Sequence, residues 1–443
     1  MRIKNTGFWL LIFSIIALIF SPAIIYPFFQ DDFFALVTTK ITSLSDIWRL
    51  FLPVSEAVYY RPLGIQLYFG LMQFVGLGKP IWFHLMSLLV HLLNTYLIYR
   101  LTVKIFSRER LAKLTAFLWG TSPIHYFALG WAVNFSFVLV ITWSILAILA
   151  AGEGKGLRAI LFLFLGLMTN EIAVVIPLLV ILLNGGKRLI IPMLTAVAGY
   201  GIWRMLTGVK IEGDYVIGLT TVVSTLRWYG LWILGWSDIV RDFIRWGAVF
   251  RPEFIKIFPA VVWVYAVELA AVIILLGRLF QKSLRAEGRQ TSRSVAILGF
   301  SWMLVGLLPV MFFSRHIYSH YGAVAAIGVY WLAAEAVNRR QWMAAAVIWL
   351  MVAITTLGLN YQVSWMADHA AESRRFQGLV LDQIPKDEVS RIYIVSDVPK
   401  AQTVLLGGYG VEYLTGVNKN KVIFVSSLSE VLELKDDEEV IFL

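Results

Sequence analysis

Apolar runs of about twenty residues recur along this chain, and each is long enough for a helix to cross the ~30 Å hydrocarbon core of a bilayer. They fall at 8–27, 82–105, 111–128, 131–151, 189–206, 257–278, 295–313, 320–338 and 341–359. The composition agrees: 59% of residues are hydrophobic, 15% are charged, and the mean hydropathy is +0.75. A water-soluble domain does not carry that balance. The expected class is an all-α polytopic membrane protein. The first run follows Arg2 and Lys4 but lacks a small-residue cleavage site, so it reads as an uncleaved first helix.

One further apolar stretch, "RAILFLFLGLMTNEIAVVIPLLVILL", is interrupted at Thr169-Asn170-Glu171. Each half has roughly 12–14 residues, too few to cross, and both flanks carry basic residues. Two short helices meeting at a tip near Glu171 satisfy both facts. With about eleven spans in all, the basic loops (Arg108/Arg110/Lys113, Lys155/Arg158, Lys187/Arg188, Arg278 to Arg293, Arg339/Arg340) are placed inside. That accounts for the net charge of +10 without a nucleic-acid partner. The N-terminus is then cytoplasmic, in a multi-pass protein of the plasma membrane, and 28–81, 207–256, 314–319 and 360–443 face outside. Residues 45–79 read as two helices lying on the membrane surface and roofing a cavity. Residues 221–246, with arginines and tryptophans at helical spacing, read as an interfacial amphipathic helix.

Residues 1–359 thus form the transmembrane domain. After Asn360 the short runs "RIYIVSD", "KVIFVSS" and "EEVIFL" read as strands, with a helical stretch around 401–414. They define a small C-terminal α/β extracytoplasmic domain, 360–443. The chain has no cysteine, which excludes disulfides and thiolate metal sites.

Several polar groups stand out against this background. Asp31 and Asp32 follow the first span among phenylalanines; on a helix neighbours point about 100° apart, so one could do chemistry while the other positions. Tyr60-Arg61 closes the same loop, and a guanidinium fork suits a lipid phosphate, though it also serves as a snorkelling anchor. His84, Ser87, His91 and Asn94 form a stripe at helical spacing that reads first as interhelical hydrogen bonding. The two histidines sit about 10 Å apart, too far for one metal ion. His125 and Asn134 lie at an outside junction. Arg315, His316, Tyr318, His320 and Tyr321 crowd a short outside loop like an anion seat. Glu171 and Glu268 are intramembrane carboxylates, functional candidates by default. Glu335 and Arg339 suit a local ion pair.

Taken in order, the aspartate pair, "YYRPL", "FHLMSLLVHLLN", "LWGTSPIH", the "TNE" tip and the late Arg-His-Tyr cluster resemble integral-membrane glycosyltransferases of the GT-C superfamily, on the branch of protein O-mannosyltransferases and their bacterial relatives. The resemblance covers roughly residues 8–338. It implies transfer of a sugar from a polyprenyl-phosphate donor to a protein, lipid or glycan acceptor at the outer face, with inversion and a first-loop aspartate as base. The residue chemistry is compatible: a lipid phosphate leaves without protonation, so one carboxylate and several cations suffice. The expected roles are Asp31 as base and Asp32 as its positioner or substitute. Arg61, Arg315 and His316 are expected on the phosphate, with His320 and Tyr321 behind them. Tyr60, His84, His125 and Glu171 complete the expected substrate-binding set. Related sequences carry an acid after "PIH" where this chain has "YFALGWAVNFS", and many have Lys-Glu where it has Asn170-Glu171. No cofactor is expected and a divalent metal is not indicated. Two other classes use similar parts: a lipid-linked glycan flippase, which tends to show repeated halves and deep charges, and a glycan polymerase or ligase with a lipid-diphosphate donor.

Overall fold

The computed structural model describes residues 6–54, 57, 59–183, 187–208, 215–245, 249–284, 290–313, 316–383, 390–396, 399–431 and 438–443. The chain is mostly helical, with a small three-stranded sheet near its C-terminus. Among the described residues six helices are long and apolar enough to cross a membrane: Thr6–Ile24, Pro80–Phe106, Ala132–Gly152, Arg188–Leu206, Pro259–Arg278 and Trp342–Val363. Pro80–Phe106 shows how the sequence sets such bounds. Proline stands at its first position, where a missing N–H costs nothing, and Ser107 ends it at φ 53.

The expected span 111–128 is not one helix. Glu109–Gly120 stops before Ser122-Pro123, a short turn covers Pro123–His125, and Tyr126–Gly130 resumes. Proline has no N–H to continue the ladder and disfavours helical backbone in the residue before it. A break inside an apolar bundle leaves carbonyls without partners, which is costly away from water. The polar stripe meets that demand. His91 Nε2 donates to Gly120 O at 2.8 Å, His125 Nε2 to Trp119 O at 2.9 Å and His84 Nδ1 to Leu129 O at 3.0 Å. A carbonyl only accepts, so each of these ring nitrogens carries the proton. Asn134 donates to Phe127 O, and Asn94 to Val138 O of the next helix.

Two short helices, Gly156–Leu167 and Ile176–Leu182, flank the Thr169–Glu171 tip, where Asn170 caps the turn Glu171–Val175. Residues 221–246 do not form one helix: Leu219–Ile233 ends at Gly235, whose φ is 97, and buries Trp228, Tyr229 and Trp232. The two expected surface helices of 45–79 also differ from each other. Leu44–Phe51 exposes Leu44 and Trp48 as a surface helix would, whereas Pro62–Leu67 and Tyr68–Phe74 bury most of their residues in the bundle. Glu335 forms an ion pair with Arg108 of a neighbouring segment. Glu268 is buried and accepts from Trp236 Nε1 at 2.9 Å.

At the C-terminus, Trp342–Val363 turns at Ser364 into a second helix, Trp365–Gln383. Strand Arg391–Val395 lies between Val422–Val425 and Glu438–Phe442, parallel to both. Parallel neighbours need a crossover, supplied between the first two by helices Pro399–Val404 and Gly408–Thr415. These break at Leu406 (φ 47) and Gly407 (φ 59).

Candidate functional site

The segments that charge placement assigns to one face converge on a cavity of about 780 Å³. Its walls come from the first loop, the 131–137 turn, the Asn170–Ile172 tip, Arg204, Tyr215, residues 309–313 and 316–321, and the 402–407 turn.

Asp31 opens helix Asp31–Thr38, where a carboxylate suits the helix dipole, and it lines the cavity. Asp32 does not. Its side chain is fully buried, with Oδ1 accepting from Val133 N–H at 2.8 Å and Oδ2 from Phe29 N–H at 3.3 Å. Burial pushes its carboxyl well above the usual range, against the pull of those donors. The flanking phenylalanines anchor the pair: Phe29 stacks on Trp131 at 5.4 Å, and Phe33 is fully buried.

Arg61 lines the same cavity, and a glycine explains how it gets there. A Cβ on Gly64 would lie 2.5 Å from Thr169 O and 2.6 Å from Ser136 Cβ, so only glycine lets the loop dock on the tip. Leu63 N–H bonds Met168 O at 3.0 Å. Arg61 Nε then reaches Glu171 Oε2 at 2.8 Å, while Arg204 Nη1 stands 3.4 Å from the other oxygen, Oε1. The Arg61 guanidinium lies 5.1 Å over Tyr59 and 5.0 Å over Phe137, a geometry that favours cations. Phe137 stacks in turn on Tyr321 at 4.8 Å.

Of the sequence-derived candidates, Asp31, Arg61, Glu171, His316 and Tyr321 line this cavity together. Arg315 lies outside the described residues. Tyr60 is turned inward and donates to Phe51 O at 2.6 Å. His84, on helix Pro80–Phe106, and His125, at the break of the next helix, are buried and do not line the cavity. His320 lies behind the cavity wall, edge-on to Phe137 at 4.5 Å, with both ring nitrogens buried and without hydrogen-bond partners. Among the described residues no three of His, Asp, Glu or Cys gather as metal ligands.

Sequence reasoning passed over Arg204, Gln30, Gln402 and Thr403, all of which line the cavity. Arg204 had a signal: it is a basic residue in the last turn of an apolar helix. The C-terminal residues had none, because only the tertiary fold brings them to the first loop.

Comparison with solved structures finds the fold of the crystal structure of an Archaeoglobus fulgidus oligosaccharyltransferase in the apo form, with a TM-score of 0.50 and 13% sequence identity. The match covers 95% of this chain and 64% of that one. No family model matches the chain, and no curated protein matches it. The chain is a membrane protein with a GT-C-like fold.

Proposed function

We propose that the protein is an inverting glycosyltransferase that moves a sugar from a polyprenyl-phosphate carrier to a nucleophilic acceptor at the outer face of the plasma membrane. The observation that carries this reading is one cavity lined by a carboxylate, Asp31, and by two guanidiniums, Arg61 and Arg204, with His316 beside them. The GT-C-like fold, shared with a protein named as an oligosaccharyltransferase, supports glycosyl transfer as the reaction class.

In the proposed step the acceptor attacks the anomeric carbon and Asp31 takes its proton. The bond from that carbon to the phosphate oxygen breaks, and its electron pair leaves on the lipid phosphate. The developing charge falls to the guanidiniums, whose value rises in a site partly shielded from water. A single base is enough because the phosphate needs no acid to depart. Glycoside hydrolysis, which expels an alkoxide, ordinarily uses two carboxylates. Glu171, shared by two arginines, pre-orders them and keeps the empty seat from holding two unpaired cations.

The test is purified protein in lipid nanodiscs, offered a panel of polyprenyl-phosphate and polyprenyl-diphosphate sugars, with mass spectrometry of the released carrier. Release that disappears in Asp31→Asn supports the reading, and the consumed donor names sugar and carrier. Labelled lipid crossing the bilayer with no donor consumed would replace it with a flippase.

A further inference from the structure

Asp31 is preceded by a constrained piece of backbone. Gln30 has φ 48 and ψ −125, a region that a non-glycine residue enters only when its surroundings hold it there. What holds it comes from the far end of the chain. The Gln30 N–H donates to Val404 O at 2.7 Å. Two residues earlier, the Phe28 carbonyl accepts from both Ser373 Oγ at 2.6 Å and Gln377 Nε2 at 2.9 Å. Arg374 donates to Ile25 O at 2.8 Å. Beyond Asp31 the grip continues through rings: Phe34 meets Tyr409 edge-on at 5.2 Å, and Phe33 lies 5.9 Å from Tyr413.

The aspartate pair therefore sits between two anchors. Asp32 ties the segment to the membrane bundle through Val133, and the backbone just before Asp31 is tied to helix Trp365–Gln383 and the 399–404 helix. The bundle anchor alone would seat the helix Asp31–Thr38. The second anchor fixes something more specific, the direction in which the chain enters its first turn, and hence where the Asp31 carboxylate points. The same C-terminal unit also supplies cavity wall at Gln402, Thr403 and Leu406.

We propose that the C-terminal α/β unit is a positioning element for Asp31, with Ser373, Gln377 and the Val404 carbonyl fixing residues 28–30 so that the carboxylate is aimed into the cavity. The proposal rests on the reading of Asp31 as the base. Ser373 and Gln377 touch no substrate in this scheme; they act through the backbone.

The full-length double variant Ser373→Ala/Gln377→Leu in nanodiscs tests it, because both donors to Phe28 are removed without touching Arg61 or Arg204. Hydrogen exchange over residues 28–36 is expected to rise. The turnover rate at saturating donor and acceptor should fall tenfold or more, with donor affinity within twofold of wild type. Each single variant keeps one donor and should fall between. Unchanged exchange or unchanged turnover overturns the proposal, as does a parallel loss of turnover, donor affinity and melting temperature, which marks a structural role. If exchange rises in the variant but the wild type transfers sugar from no donor, the base reading fails and the positioning role goes with it. The exchange data separate that case from failure of the clamp itself.

Discussion

The Asp32 carboxylate accepts the backbone N–H of Val133 at 2.8 Å, and this bond divides the roles of two adjacent identical residues. Asp32 faces inward and holds the first loop to the bundle; Asp31, about 100° further round the helix, faces the cavity. Replacing each with asparagine should give different defects. Asp31→Asn should fold normally and lower the transfer rate roughly 10²- to 10⁴-fold, the usual worth of a positioned base. Asp32→Asn should lose one buried hydrogen bond and about 1–3 kcal/mol of stability. Melting temperatures beside single-turnover rates separate the two. Equal melting losses, or an active Asp31→Asn, would remove this assignment.

Arg204 and Glu171 give a prediction with opposite signs. Arg204→Ala removes a charged donor from the proposed phosphate site and should weaken polyprenyl-phosphate binding roughly 10- to 100-fold. Arg204→Lys should recover only part, because it restores the charge without the fork. Glu171→Gln removes the anion that Arg61 and Arg204 share. Bound lipid phosphate should then tighten, while the ligand-free protein melts lower and regains stability as ligand is added. Weaker binding by Glu171→Gln would mean that the carboxylate orders the arginines more than it competes for them.

How far the sequence revealed this site depended on how local each cause was. Six of the expected apolar runs are single long helices among the described residues, legible because hydropathy is a property of a run; the break within 111–128 was not. Asp31, Arg61 and Glu171 stood out because a carboxylate or guanidinium in an apolar context needs a reason. His84 and His91 bond carbonyls of a neighbouring helix, as the polar stripe suggested; His125 closes a carbonyl at the break, a task that calls for the same donors as holding a substrate and so looks the same in the sequence. Gly64 is one of many glycines in the sequence, and its role exists only once Thr169 and Ser136 are beside it. Helix Trp365–Gln383 escaped notice because its charges mask the apolar face that buries Met366, Phe376 and Val380.

Gln30 offers the simplest test of backbone strain beside the cavity. At φ 48 its side chain disfavours the conformation, and glycine adopts it without penalty. Gln30→Gly should keep the N–H bonded to Val404 O and stabilise the protein by about 1 kcal/mol, part of the 1–3 kcal/mol such strained residues cost. Gln30→Pro should do the reverse, since proline removes that N–H and sets φ near −65°. Thermal melting of both variants in the same nanodiscs reads the two signs. A destabilised Gln30→Gly would locate the stabilising contribution in the Gln30 side chain, which also lines the cavity, and would remove the argument from strain.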